Sequence, residues 1–273
     1  MNRSLHPTKT VSFTSGKGGV GKSTLLANMA LHLAQRGKKV LILDGDLGLA
    51  NIDILFGVRP RFTIEDVVKG YKSIDEIVVP VTSGVSLIPG GSGIYQLTQI
   101  SPFERQALMD QVSDLESVFD VMLIDTASGI DSNVLYLNAA AQEIMVIVTP
   151  EPASMTDAYA LIKVLNQKQG ENRFSVVANM VSNPKEGLKL YKRLSDVTQK
   201  FLNVSLDYKG FVPVDQNLRM ATNSQQLVAR ENPNTAANLA MQEIAEKLSD
   251  FNGIDTVKGG MQFFWEQMVS HAS

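Results

Sequence analysis

The sequence predicts an α/β protein in which a twisted, mostly parallel sheet carries helices on both faces and a short amphipathic helix follows at the C-terminus. Apolar runs of strand length recur along the chain and alternate with longer segments of helical spacing, the pattern of strands buried on both sides. A Gly-rich segment, Ser15 to Thr24, separates the first such run from the first helical segment. The chain has 273 residues, 44% of them hydrophobic, which is enough for one large core and too little for two comfortable ones.

The strand runs, in order, are Val11–Phe13, Val40–Leu43, Val85–Ile88, Val121–Ile124, Ile144–Val148, Phe174–Ala178 and Tyr208–Val212. Between and after them, helical spacing predicts helices over Lys22–Arg36, Phe103–Glu116, Met155–Gln167, Lys185–Phe201 and Thr235–Phe251. Gly37 supplies a C-terminal stop for the first helix, and Pro184, Pro213 and Pro233 mark boundaries. The expected organisation is one domain over residues 1–251, then a linker and helix over 252–273. No internal repeat or low-complexity tract interrupts it.

The segment Gly16-Lys17-Gly18-Gly19-Val20-Gly21-Lys22-Ser23 fits G-x-x-x-x-G-K-S/T in a strand, loop, helix context. Glycines let successive backbone N–H groups converge on phosphate oxygens, Lys22 brings a charge to the β/γ-phosphates, Ser23 offers a hydroxyl to Mg²⁺, and the helix N-terminus favours the anion. ATP and Mg²⁺ are therefore the expected ligands. In open α/β sheets such ligands lie beyond the carboxyl ends of the strands. Two runs end there in aspartate, leading into Asp44-Gly45-Asp46 and into Asp125-Thr126-Ala127-Ser128-Gly129. Either aspartate alone reads as a helix cap; beside a phosphate loop, both fit an Mg²⁺ and water site.

Composition narrows the function. A net charge of −3 gives no broad basic field, so nucleic acid held by bulk electrostatics and direct sequence-specific DNA binding are not expected. The absence of cysteine excludes disulfides, thiolate metal sites and a bridging iron–sulfur cluster. His6, His32 and His271 have no metal-ligand spacing. The N-terminal Met1–Lys9 lacks an apolar core and no apolar run reaches membrane-spanning length, which makes a cytoplasmic protein the expectation.

Lys17 directly after the first glycine makes the loop resemble the deviant Walker A box of the MinD/ParA ATPases. In that family the extra lysine reaches across a nucleotide-sandwich dimer; the alternative is a solvated loop lysine. The resemblance extends further. Asp44 to Asp53, DGDLGLANID, resembles the switch I segment of the flagellar-number ATPases of the FlhG/FleN group, Asp125 to Ile130 their switch II, and Glu151 to Lys163, EPASMTDAYALIK, a third shared run. Phe263-Phe264 is similar to their C-terminal pattern.

This resemblance implies roles residue by residue. Lys17, Lys22 and Asp46 would be catalytic, Asp46 by positioning the attacking water beside the metal. Ser23 would coordinate Mg²⁺ directly and Asp125 through water, with Asp46 the third residue of the metal site. Gly16, Gly18, Gly19, Val20, Gly21 and Thr24 would hold the phosphates, Asn51 would lie near the γ-phosphate, and Glu151 would reach the partner's nucleotide. Adenine contacts would come from Asn179, otherwise a turn residue, and from Pro213 and Asp215. The implied function is a slow, ATP-dependent dimerising switch that regulates flagellar number as anti-activator of a σ54-dependent, FleQ-like transcription regulator, working with an FlhF-like GTPase. The alternative is a MinD/ParA-type positioning ATPase on membrane or DNA.

At the C-terminus, Met261, Phe264, Trp265 and Met268 fall at i, i+3, i+4 and i+7 on one face of a short helix. A flexible linker over Asn252–Gly260 precedes it. Two readings stay open for 261–269: reversible membrane contact, with a peripheral location at the inner membrane or cell pole, or docking on the protein's own body or a partner.

Overall fold

Parallel strands need long crossovers, and the helical segments between the apolar runs supply them. The computed structural model describes residues 7–46, 52–90, 102–249 and 258–270. Strands β1 (Lys9–Ser15), β2 (Val40–Gly45), β3 (Val79–Thr82), β4 (Val85–Ile88), β5 (Val121–Ser128), β6 (Glu143–Val148), β7 (Arg173–Val181) and β8 (Ser205–Pro213) form one sheet in the order β3-β4-β2-β5-β1-β6-β7-β8. All pairings are parallel except β3 with β4. Every predicted run is a strand. The unforeseen β3 is a four-residue antiparallel edge, where Pro80 can sit without leaving a ladder donor missing.

The helices are α1 (Lys22–Gln35), α2 (Ile52–Phe56), α3 (Ile64–Val68), α4 (Ile74–Ile77), α5 (Pro102–Glu116), α6 (Ser132–Ala140), α7 (Pro152–Gln169), α8 (Pro184–Leu202), α9 (Gln216–Asn223), α10 (Val228–Glu231), α11 (Ala236–Ser249) and α12 (Met261–Ser270). The five predicted helices are α1, α5, α7, α8 and α11, extended or trimmed by a turn or less. The shorter ones carry too few periods to stand out in sequence.

Two faces of the sheet are covered. On one, α1, α2, α10 and α11 pack through Leu25, Leu26, Met29, Phe56, Val228, Met241 and Ile244. On the other, α5, α6 and α12 build one apolar cluster, and α7 with α8 a second, around Leu161, Leu165, Leu190 and Leu194. Because the strands are parallel, the ends of β1, β2, β5, β6 and β7 share one edge.

Between the two readings of the C-terminal helix, the structure adopts docking on the chain's own body. Met261, Phe264, Trp265 and Val269 are fully buried against α5 and α6, with the Phe264 and Trp265 rings edge to face at 5.9 Å. That face is unavailable to lipid in this arrangement. Residues 252–257 of the expected linker lie outside the described residues. Its end is not slack: the Lys258 ammonium donates to the Ala139 and Ala141 carbonyls at 2.9 and 3.1 Å and pairs with Glu171. A cation at the C-terminus of α6 complements that helix's dipole.

Candidate nucleotide-binding site

The loop after β1 takes its shape from its glycines. Gly19 and Gly21 have φ of +76° and +90°, where an L side chain is strained. At Gly16 a Cβ would stand 2.1 Å from the Asp157 carbonyl oxygen, so α7 packs directly on the loop backbone. Val20 is buried and its carbonyl accepts from Asn179 Nδ2 at 2.7 Å, while the Ser15 hydroxyl donates to the Lys17 carbonyl at 2.7 Å. Gly18 and Gly19 stay exposed. An arched backbone with open N–H groups at the start of α1 results, as a phosphate cradle requires.

At the start of α1, the Ser23 hydroxyl donates to Asp125 Oδ2 at 2.5 Å, and Lys22 is largely buried close to the same carboxylate. Asp44 is the register partner of Asp125 across β2 and β5, so two carboxylates stand side by side at the sheet edge. Burial, and then the charge of Asp125, push the Asp44 carboxyl up to about 7. Burial also pushes Asp125 up, to about 6, against the pull of Lys22 and the Ser23 hydrogen bond. Asp44 is held by Asp46 N–H and Ile52 N–H at 3.3 and 3.4 Å. Gly45 between the aspartates is required, since a Cβ there would meet the Asp125 carbonyl at 2.7 Å.

These residues fit a divalent cation. Asp125 Oδ1 is buried without a hydrogen-bond partner, and two neighbouring buried carboxylates have a net deficit of positive charge that such an ion would relieve. Among the described residues there is no cluster of three or more His, Cys, Asp or Glu side chains able to cage a metal. An Mg²⁺ here would therefore take most of its ligands from phosphate oxygens and water, with Ser23 as the direct protein ligand.

Other predicted residues fall as follows. Lys17 pairs with Glu151 of its own chain, at the end of β6. Thr24 lies in the first turn of α1, its carbonyl accepting from Asn28 Nδ2 at 2.8 Å. Asn179 is buried, its amide committed on one side to Val20 and its Oδ1 to the Met180 N–H at 2.9 Å, so it ties β7 to the phosphate loop. Pro213 ends β8 opposite Val181. The Asp215 carboxylate caps two helices, accepting from Asn217 N–H at 2.8 Å and from Ala237 N–H at 3.2 Å. Asn51 lies outside the described residues.

Sequence reasoning missed the support beneath the loop. Ser12 donates to Asn138 Oδ1 at 2.7 Å, Asn138 Nδ2 donates to Thr14 Oγ1 at 3.0 Å, and Thr126 donates to the Phe13 carbonyl at 3.0 Å. This buried network joins β1, β5 and α6. Its only sequence signal is the polar residue at alternate positions of otherwise apolar strands.

A Walker-type loop at the end of a central strand, two acidic strand ends beside it and a lysine after the first glycine define a P-loop nucleoside triphosphatase of the deviant Walker A kind. The ParA family model, described as an NUBPL iron-transfer P-loop NTPase, matches residues 7–249, and the chain belongs to that family of P-loop ATPases. It is 40% identical over 98% of its length, and 96% of the other chain, to the antiactivator FleN of Pseudomonas aeruginosa. It is 34% identical over 97% of its length, and 90% of the other chain, to the flagellum site-determining protein YlxH of Helicobacter pylori. In structure it is similar to the cell division ATPase MinD of Pyrococcus furiosus, with a TM-score of 0.68, 25% identity, and 88% and 98% of the two chains covered. Among the described residues no helix is long and apolar enough to cross a membrane.

Proposed function

We propose that this chain is an ATP-dependent dimerising switch that regulates flagellar number, acting as anti-activator of a σ54-dependent transcription regulator and alongside an FlhF-like GTPase. The relatives' names, antiactivator and flagellum site-determining protein, support the setting. The observation that carries the switch is the position of Lys17. Its ammonium pairs at the surface with Glu151, its side chain 37% exposed. An exposed pair of this kind is weak, about 0 to 1 kcal/mol, and is readily exchanged for a more highly charged ligand.

In the proposed cycle, Gly16 to Thr24 hold the phosphates, Asp46 and Asn51 flank the γ-phosphate, Ser23 and Asp125 hold Mg²⁺, and Asn179, Pro213 and Asp215 border the base. Bound Mg²⁺ would supply charge neutralisation of the phosphates. Two chains closing face to face would exchange the internal Lys17–Glu151 pairs for contacts across the interface, each Lys17 reaching the other chain's phosphates and each Glu151 the other chain's nucleotide. Phosphoryl transfer at such a loop depends chiefly on positioning and charge stabilisation, so slow turnover is expected and suits a timer. Membrane contact through 261–269 would require α12 to leave its seat.

Analytical ultracentrifugation with and without a nonhydrolysable ATP analogue tests the switch. The expected result is a monomer that becomes a dimer on ligand addition, with Lys17→Ala still binding nucleotide but remaining monomeric and at least tenfold slower in hydrolysis. An unchanged sedimentation coefficient in the wild-type protein overturns it.

A further inference from the structure

The amphipathic helix α8 carries a run of cations that the nucleotide site does not use. Lys185, Lys189 and Arg193 recur at i, i+4 and i+8 on one face, with Lys192 beside them, and all four are exposed. Lys185, Lys192 and Arg193 form no ion pair among the described residues. The one acid in this stretch, Glu186, is occupied: its carboxylate accepts from the Ser182 N–H, which, ahead of the weaker pull of Lys189, holds its pKa below the usual carboxylate range.

Lys185, Lys189 and Arg193, with Glu186 among them, line one side of a cleft of about 510 Å³ whose other walls are Pro150, after β6, and Ser182 and Asn183, after β7, with the buried Leu190 at its floor. Leu188 lies half-exposed on the same helix. Four cations and one carboxylate leave residues 185–193 at +3 and the rest of the chain at −6.

We propose that this cleft is a docking site for an acidic, amphipathic segment of a partner protein. Charge complementarity sets the sign of the ligand. The concave shape and the apolar groups Pro150 and Leu190 in its lining favour a peptide, which brings apolar side chains together with carboxylates, over a phosphodiester backbone, which brings none. The excess negative charge elsewhere would oppose a long polyanion such as duplex DNA. Lys185 to Arg193 spans about 12 Å of helix, the length of two turns of a bound helical segment.

The place of the cleft gives it a regulatory meaning. Pro150 precedes Glu151, which holds Lys17, and Ser182 follows the Asn179–Met180 pair that is bonded to the loop carbonyl of Val20. A segment seated there touches the ends of two strands whose neighbouring residues grip the phosphate loop. This coupling rests on the switch proposed above; the docking itself does not.

Fluorescence anisotropy with a short fluorescein-labelled peptide of repeated Glu-Asp-Leu-Leu units is the test, with labelled duplex DNA and phosphatidylglycerol vesicles as competing arms. The triple variants Lys185→Glu/Lys189→Glu/Arg193→Glu and Lys185→Gln/Lys189→Gln/Arg193→Gln are expected to weaken peptide binding at least about tenfold. Nucleotide binding and hydrolysis should stay at the wild-type level, and the Lys185→Arg/Lys189→Arg/Arg193→Lys variant should bind like wild type. Peptide affinity unchanged in both the Glu and Gln variants overturns the proposal. So does tighter binding of DNA or vesicles that the same variants abolish. A wild-type chain that stays monomeric with the ATP analogue, yet loses the peptide in the variants, supports the cleft and refutes the switch.

Discussion

Replacing Phe264 with alanine isolates the seat of the C-terminal helix. Phe264 is fully buried against α5 and α6 and meets Trp265 edge to face. Truncating a buried phenylalanine costs roughly 3 to 5 kcal/mol. Helix α12 has ten residues, short of the roughly 12 to 15 that let an isolated helix persist in water, so it is helical only while docked. The lost energy matches the burial of about two of its apolar side chains at roughly 1.5 to 3 kcal/mol each. None of its residues belongs to the cluster under α1 and α11 or to that under α7 and α8. The expected outcome is therefore local: α12 leaves its seat while the sheet stays folded. Trp265 is the only tryptophan, so its emission should shift to the red and become open to acrylamide quenching, with the main far-UV melting transition moving little. If emission stays that of a buried indole while the melting temperature falls by about 6 to 20 °C, the full penalty at this chain length, α12 is an inseparable part of the core and the reasoning fails.

Further outcomes follow from the charged groups and the loop. Asp44 and Asp125 are held at about 7 and about 6 in the folded chain against roughly 3.9 unfolded, so the ligand-free protein binds extra protons between about pH 4 and 7 and loses stability as pH rises through that window; urea denaturation at pH 5 and pH 8 should show the fall, and Asp44→Asn should reduce it to the share of Asp125. Glu143 is the opposite case: burial would push its carboxyl up, but Lys9, Lys209 and the Ser175 hydroxyl hold it at about 2, so its stabilisation is present above about pH 4.3 and lost as pH falls toward 2. Glu143→Gln deprives the buried Lys9 ammonium of this carboxylate and should cost about 3 to 5 kcal/mol by chemical denaturation at pH 7; a loss under 1 kcal/mol would contradict a buried pair. Gly16→Ala forces a methyl against the Asp157 carbonyl and should lower Mg-ATP affinity at least tenfold in calorimetric titration, whereas wild-type affinity would mean that α7 does not brace the loop.

Much of the site is legible because phosphate binding is a local task. Gly19 and Gly21, Lys22 and Ser23 are fixed within a few residues by backbone freedom, charge and a hydroxyl, and the structure builds the loop where the motif places it. The apolar runs likewise announce the strands, since a residue buried on both faces of a sheet has little choice of side chain. β3 is silent because an exposed edge strand with a proline carries no such constraint. Asn179 and Asp215 read in sequence as groups facing the base, and only the structure shows that their side chains also brace the loop and cap two helices; a strand-end polar residue looks the same in either role.

By itself the sequence determined a phosphate loop, two acidic strand ends, a lysine after the first glycine of the loop and a terminal helix with one apolar face. The tertiary structure decided what each of these meets. Strand order, with β5 between β1 and β2, buries Asp44 beside Asp125, and burial before charge raises the Asp44 carboxyl. Packing seats α12 on α5 and α6, where Met261, Phe264 and Trp265 find a dry surface. Lys17 and Glu151, 134 positions apart, meet only because β1 and β6 are neighbours in the sheet. Local chemistry is written in adjacent residues, but a pairing across the fold depends on loop closure and register, which no short stretch of sequence contains.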